Sequence, residues 1–159
     1  LKILFVCTGN TCRSSMAEAL ARKILAERPE GKGRLEFSSA GVAALTGNRA
    51  SLEAVEALAG MGVDLRDHRA TLLTPGIISE ADLILTMTRA HREHILEIFP
   101  SAAGKVFTLA EYAGAAGDVP DPIGQPVEVY RSCAERLKDL IARAIDRLRE
   151  KERGFFERN

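Results

Sequence analysis

Two rhythms alternate along the chain. A short continuous apolar run occupies Lys2-Ile3-Leu4-Phe5-Val6-Cys7, and further strand candidates occupy residues 35–39, 81–87 and 105–109. A run of that length reads as a strand buried on both faces of a parallel sheet. Between the runs, apolar positions recur at helical spacing. Met16, Ala19, Leu20, Ile24 and Leu25 share one face that ends before Pro29. Leu52, Val55, Leu58 and Ala59 share another within 49–60, closed by Gly60. Pro75 suits the first turn of a short helix reaching Ser79, and a further helix is predicted over 89–99. The last stripe is the clearest: Tyr130, Cys133, Leu137, Leu140, Ile141, Ala144, Ile145 and Leu148. Residues 30–33, 61–75 and 114–126 keep neither period and predict loops, and the chain after Arg153 predicts a frayed tail.

Strands alternating with helices predict an α/β fold. The expectation is a single three-layer domain over residues 1–153, with a tail at 154–159. Its centre is a four-stranded parallel sheet with helices on both faces. A length of 159 residues fits one domain that needs no disulfides for its core. Basic and acidic residues number 22 each, so the formal net charge is zero. That balance argues against nucleic acid or a membrane surface as a partner, and any anion must be gripped locally. No apolar run approaches the ~18 residues of a membrane span, and Ile3-Leu4-Phe5-Val6 is too short for a signal-peptide core. Three cysteines, an odd number, predict free thiols in a reducing cytoplasm. Ligands of parallel sheets bind beyond the strands' carboxyl ends, here the loops after Cys7, Ser39 and Leu109.

The first of these loops reads Cys7-Thr8-Gly9-Asn10-Thr11-Cys12-Arg13-Ser14. It leads into a helix N-terminus, where backbone N–H groups lack intrahelical partners and the dipole favours an anion. Gly9 and Asn10 tolerate left-handed backbone angles, which let successive N–H groups converge on an oxyanion. A cation at that helix end is unfavourable on its own, by about 0.3–1 kcal/mol. Arg13 is explained if a phosphate dianion sits between it and the loop, two oxygens in its planar fork. Cys7 then lies at the base of the bowl, its thiolate favoured by the same groups and poised to accept a phosphoryl group.

Cys7 to Arg13 resembles the C-x5-R loop of the low-molecular-weight protein tyrosine phosphatase family. The likeness extends over nearly the whole chain: Ser39-Ala40-Gly41, Asp67-His68-Arg69-Ala70 and Asp121-Pro122 match further segments of the family. One departure is Ser15, where many members carry Pro. The resemblance implies an enzyme without metal or cofactor. Cys7 attacks phosphorus. Arg13 and the loop from Thr8 through Gly9, Asn10, Thr11 and Cys12 to Ser14 hold the phosphate. Ser14 donates to the Cys7 sulfur, and Asp121 is the general acid. Asn10, Ser39 and His68 brace the loop. Asp118, three residues from Asp121, is the rival acid and reads as a turn former.

Two positions bear on the leaving group. Thr11 stands where tyrosine phosphatases of the family often carry an aliphatic residue, and Ile123 where they carry aromatics. A hydroxyl at Thr11 suits a guanidinium, and no Trp is present to clasp a phenyl ring. With the run Val106-Phe107-Thr108-Leu109 and Gly117-Asp118-Val119, the loop resembles the bacterial protein-arginine phosphatases of this family. Phosphorylated proteins are then the partners, bearing phosphoarginine or, as the alternative, phosphotyrosine. A protein arginine kinase is the opposing activity.

Three other readings fit less. An arsenate reductase needs two more relay cysteines, and residues 87–100 hold none. A flavodoxin-like flavin binder matches Thr8-Gly9-Asn10-Thr11 but leaves Cys7 and Arg13 without a role. A phosphate-binding module without turnover does not need Cys7 and Asp121 together. Cys12 reads either as loop packing or as a redox partner that shields Cys7. His91 and His94, among Arg92, Glu93 and Glu97, read as a solvated helix face.

Overall fold

A computed structural model describes residues 1–29 and 34–158. Its layout follows from strand β1 (Lys2–Cys7), which lies inside a four-stranded sheet and feeds two cores at once. Successive side chains of a strand face opposite ways. Ile3, Phe5 and Cys7 therefore enter the larger core, and Leu4 and Val6 the smaller. β2 (Glu36–Gly41) and β3 (Leu83–Thr86) flank β1, and β4 (Val106–Thr108) pairs with β3. The order is β2-β1-β3-β4, with every pair parallel.

Helices α1 (Arg13–Ala26), α2 (Leu52–Ala59) and α6 (Val127–Arg158) close the larger core. All eight members of the last apolar stripe are buried there. Each buried Leu or Ile of the stripe contributes on the order of 1.5–3 kcal/mol, so this helix is held chiefly by its stripe. On the other face, α3 (Pro75–Glu80) and α4 (Arg89–Ile98) insert Ile78 and Ile95 against Leu4, Val6 and Ile84.

Several boundaries move from the pattern's expectation. β2 runs on to Gly41 because it stays in register with β1, Cys7 opposite Gly41. β4 stops at Thr108, which caps a short helix α5 (Leu109–Tyr112) through a reciprocal bond pair with Glu111. That helix takes Leu109 out of the predicted strand. α1 starts at Arg13, directly from the loop. α6 continues to Arg158, through the segment expected to fray; one glycine without a proline does not stop it. The loop predicted at 30–33 lies outside the described residues. Among the described residues no helix is long and apolar enough to cross a membrane.

The chain leaves β1 toward β2 on one side and later returns to pair β3 on the other. That reversal opens a crevice at the carboxyl end of β1, where Cys7 stands.

Candidate active site

Four carbonyls of the loop after β1 are bound by groups on surrounding segments. Val42 N–H donates to Cys7 O and Ala43 N–H to Thr8 O, both at 2.9 Å, and Ser51 N–H to Thr11 O at 3.0 Å. His68 Nε2–H donates to Asn10 O at 2.7 Å, which fixes its tautomer, since a carbonyl only accepts. No peptide bond here is cis, and across a trans peptide the C=O and the next N–H point oppositely. Turning these carbonyls outward aims the N–H groups of Thr8, Gly9, Thr11 and Cys12 at the concave side. Asn10 takes the left-handed angle this path needs, φ 58°, and its N–H lies 3.3 Å from Cys7 Sγ. Gly41 packs directly beneath. A Cβ there would press into Thr8 O and lie 2.9 Å from Asn10 N.

Beside the sulfur, Ser14 Oγ is 2.9 Å from Cys7 Sγ. Asn10 Nδ2 donates to Ser14 Oγ at 2.8 Å, so the hydroxyl proton of Ser14 is left to give. Cys7 Sγ is nearer to it than Ala40 O at 3.4 Å. Asn10 Oδ1 in turn accepts from Thr71 N–H at 2.9 Å. Ser15, standing where a proline was expected, donates its hydroxyl to Cys12 O at 2.9 Å and so ties the first turn of α1.

Arg13 opens α1 and is only 4% exposed. Its Nη1 donates to Val119 O at 3.1 Å, and its Nη2 is 3.3 Å from Asp121 Oδ2. The Asp121 side chain is 41% exposed, and its other oxygen accepts from Ile123 N–H at 3.1 Å. Asp118 points elsewhere: it accepts from Arg89 N–H at 3.0 Å, at the start of α4. Of the two aspartates, only Asp121 reaches Arg13 in this arrangement.

Ser39 departs from its expected bracing place. Its hydroxyl donates to Glu18 at 3.3 Å, with no bond to the loop. The register explains this: Ser39 lies opposite Phe5, two positions short of the Cys7–Gly41 pair. Cys12 Sγ sits 3.4 Å from Ser51 Oγ and 3.7 Å from Tyr130 Oη. Burial and that thiol contact push the Tyr130 hydroxyl up to about 12. Thr11 is half-buried in the loop, and Ile123 is 67% exposed beside Asp121.

His91 overturns its reading as a solvated residue. It is 7% exposed, with Nε2 2.9 Å from Thr8 Oγ1 and Nδ1 3.0 Å from Thr88 Oγ1. Burial first, then the Arg13 guanidinium, hold its pKa down at about 4 from an ordinary 6.5; Asp118 and Asp121 pull the other way. The ring stays neutral and links the loop after β1 to α4. The available signal was position: His91 stands three residues after the cap Thr88 and four before the buried Ile95. His94 is exposed as expected. Among the described residues no group of His, Cys, Asp or Glu is arranged to hold a metal.

Comparison with known proteins gives one family. The model for "Low molecular weight phosphotyrosine protein phosphatase" matches residues 2–153. A protein-arginine-phosphatase of Geobacillus stearothermophilus is 43% identical over 148 residues, 92% of this chain and 95% of the relative. A solved YwlE arginine phosphatase, a mutant with a phosphorylated active-site serine, superposes with a TM-score of 0.88 at 41% identity, covering 96% and 99% of the two chains. A solved low-molecular-weight protein tyrosine phosphatase from T. tengcongensis gives 0.84 at 44% identity, covering 95% and 99%.

Proposed function

The chain belongs to the low-molecular-weight phosphotyrosine protein phosphatase family, and from that premise we propose that it hydrolyses phosphoarginine on proteins. The observation that carries the phosphatase chemistry of this reading is the setting of Cys7 Sγ, between Ser14 Oγ and the Asn10 N–H at the base of an amide-lined loop.

The geometry supports the following course. An incoming phosphate takes over the fork of Arg13 and displaces Asp121 from it. Freed from the ion pair, Asp121 takes up a proton from solvent; Cys7 thiolate attacks phosphorus in line, the P–N bond breaks, and Asp121 gives that proton to the departing guanidine nitrogen. Charge on the equatorial oxygens meets Arg13 and the inward amides, which are fixed before substrate arrives. Asp121 then takes a proton from water as it attacks the phosphocysteine, while the Ser14 hydroxyl eases sulfur out. Asn10 and His68 hold the loop, and His91 joins them. No cofactor enters this scheme.

The choice of arginine rests on Thr11 and Ile123. Both tyrosines, Tyr112 and Tyr130, are buried in the larger core, and the residue beside the acid is aliphatic. The solved tyrosine phosphatase among the relatives keeps phosphotyrosine as the second reading. Matched phosphoarginine and phosphotyrosine peptides separate the two by kcat/KM. At least a tenfold preference for phosphoarginine is expected, and Thr11→Ile should move it toward phosphotyrosine. A native preference for phosphotyrosine overturns the substrate and keeps the enzyme class.

The reading places the enzyme in the cytoplasm, opposite a protein arginine kinase. Three free buried cysteines suit a reducing compartment. Cys12 serves there as a resolving thiol: peroxide oxidises Cys7 to a sulfenic acid, and Cys12 displaces water to give a disulfide. Mass spectrometry after peroxide treatment checks for that bond.

A further inference from the structure

Asp121 borders a second space besides the phosphate loop. A cavity of about 210 Å³ lies between the 114–126 loop and α6. One wall is residues 119–122; the other is Val129, Ser132, Cys133 and Arg136. Those four recur at i, i+3, i+4 and i+7, so a single face of α6 forms that wall. The catalytic scheme uses none of them.

The loop wall is built before any ligand arrives. Val119 N–H donates to Met87 O at 2.9 Å, and Val119 O accepts from Arg13. Gln125 N–H closes a turn on Pro122 O at 3.0 Å, and Pro120, Pro122 and Pro126 stiffen the rest. A preformed wall spares a ligand much of the ordering cost of binding. The lining is largely apolar. Burial pushes the Cys133 thiol up to about 12, so it acts as a small neutral hydrophobe. An apolar cavity of roughly 150 Å³ accepts benzene, so this one has room for one large side chain. Outside it, Ile123 continues the apolar surface.

The geometry points to a subsite for one large apolar side chain of the substrate protein, carried within about two residues of the phosphorylated one. This rests on the phosphatase reading above. Continuity argues for that occupant: the residue whose carboxylate reaches Arg13 also walls the cavity. A peptide whose leaving nitrogen meets Asp121 must run its main chain past this loop. Residues two positions away lie within roughly 7 Å along the chain. Arg136, whose guanidinium rests 3.5 Å from Ala116 O, can donate to a peptide carbonyl at the rim.

The test is a flank scan. Phosphoarginine peptides carry Leu, Phe, Ala or Asp at each position from two before to two after the modified residue, with free phosphoarginine as reference. One position should favour Leu or Phe over Asp by roughly tenfold in kcat/KM. Ser132→Trp, or Val129→Phe should the first variant fail to fold, plugs the cavity. Either should cut that preference below twofold and leave free phosphoarginine within twofold of wild type. Equal rates across all flanks, or a preference that survives the plug, overturns the subsite. Turnover of phosphotyrosine but not phosphoarginine sinks the substrate assignment alone, and the same scan on phosphotyrosine peptides then decides the cavity.

Discussion

The loop after β1 and the carboxylate of Asp121 meet at Arg13, and they are held to opposite specifications. In the first, Cys7, Asn10, Cys12, Arg13 and Ser14 are all buried, and four carbonyls are tied to neighbouring segments. In the second, Asp121 is partly in solvent and held by one ion pair and one local N–H. The contrast fits the two tasks proposed for them. Stabilising an anion requires dipoles that do not reorganise when charge develops. An acid that serves two successive steps must leave Arg13, give a proton, and later take one back. Fixing the first group and loosening the second satisfies both needs.

Removing the partly exposed partner should have the largest effect. Asp121→Asn is expected to lower kcat on a phosphoarginine peptide by about 10²–10⁴ with KM within threefold. The loss should be far smaller on p-nitrophenyl phosphate, whose leaving group needs no proton. A rise in KM at constant kcat would reassign Asp121 to binding. Disturbing the fixed partner comes next. Gly41→Ala forces a methyl group against the Thr8 carbonyl and Asn10. It should cost roughly 10–100-fold in kcat/KM, along with about 1–3 kcal/mol of stability. Full activity in that variant would mean the loop tolerates a shift.

His91 gives a smaller, pH-dependent signal. The folded protein holds its ring near pKa 4, against 6.5 for the free side chain. Between those values the unfolded chain binds the extra proton, so stability rises with pH across the window. It is complete above about pH 6.5 and lost as pH falls toward 4, on the order of 2 kcal/mol. Melting temperature followed from pH 7 to 4 should fall less steeply in His91→Gln than in wild type. Equal slopes would show that another group carries the effect. Ser39→Ala should do least: under twofold in kcat, because its hydroxyl meets Glu18 and not the loop. A tenfold loss would return Ser39 to the bracing network.

The legible parts of this molecule are those where side chains carry the information. The runs at 3–6 and 83–86 and the stripe on α6 mark the sheet and its main helix because burial selects apolar residues at fixed periods. Cys7, Arg13 and Asp121 stand out because their chemistry is costly where it has no purpose. The clamps on the loop are another matter. Val42, Ala43 and Ser51 contribute only backbone N–H groups, which every residue but proline possesses. No residue type announces them. His91 hid for a related reason: its neighbours Arg92 and Glu93 describe the wet side of the helix, while its own side faces Thr8. Ser39 misled in the opposite direction, since a motif specifies a residue but not the register that aims it. The Thr108–Glu111 cap has the spacing of a capping box, but the strand pattern ending at Leu109 masks it.

The pairing of Cys7 with Gly41 has a consequence for how the chain matures. Were β2 to slide by a single residue, its alternating side chains would change faces. The glycine would leave its seat, and the amide donors of Val42 and Ala43 would miss their targets. Cys7 and its cradle are thus assembled by the same stitching that zips the sheet. Recovery of turnover during refolding therefore timestamps correct strand alignment, and a misaligned conformer, however well collapsed, is silent.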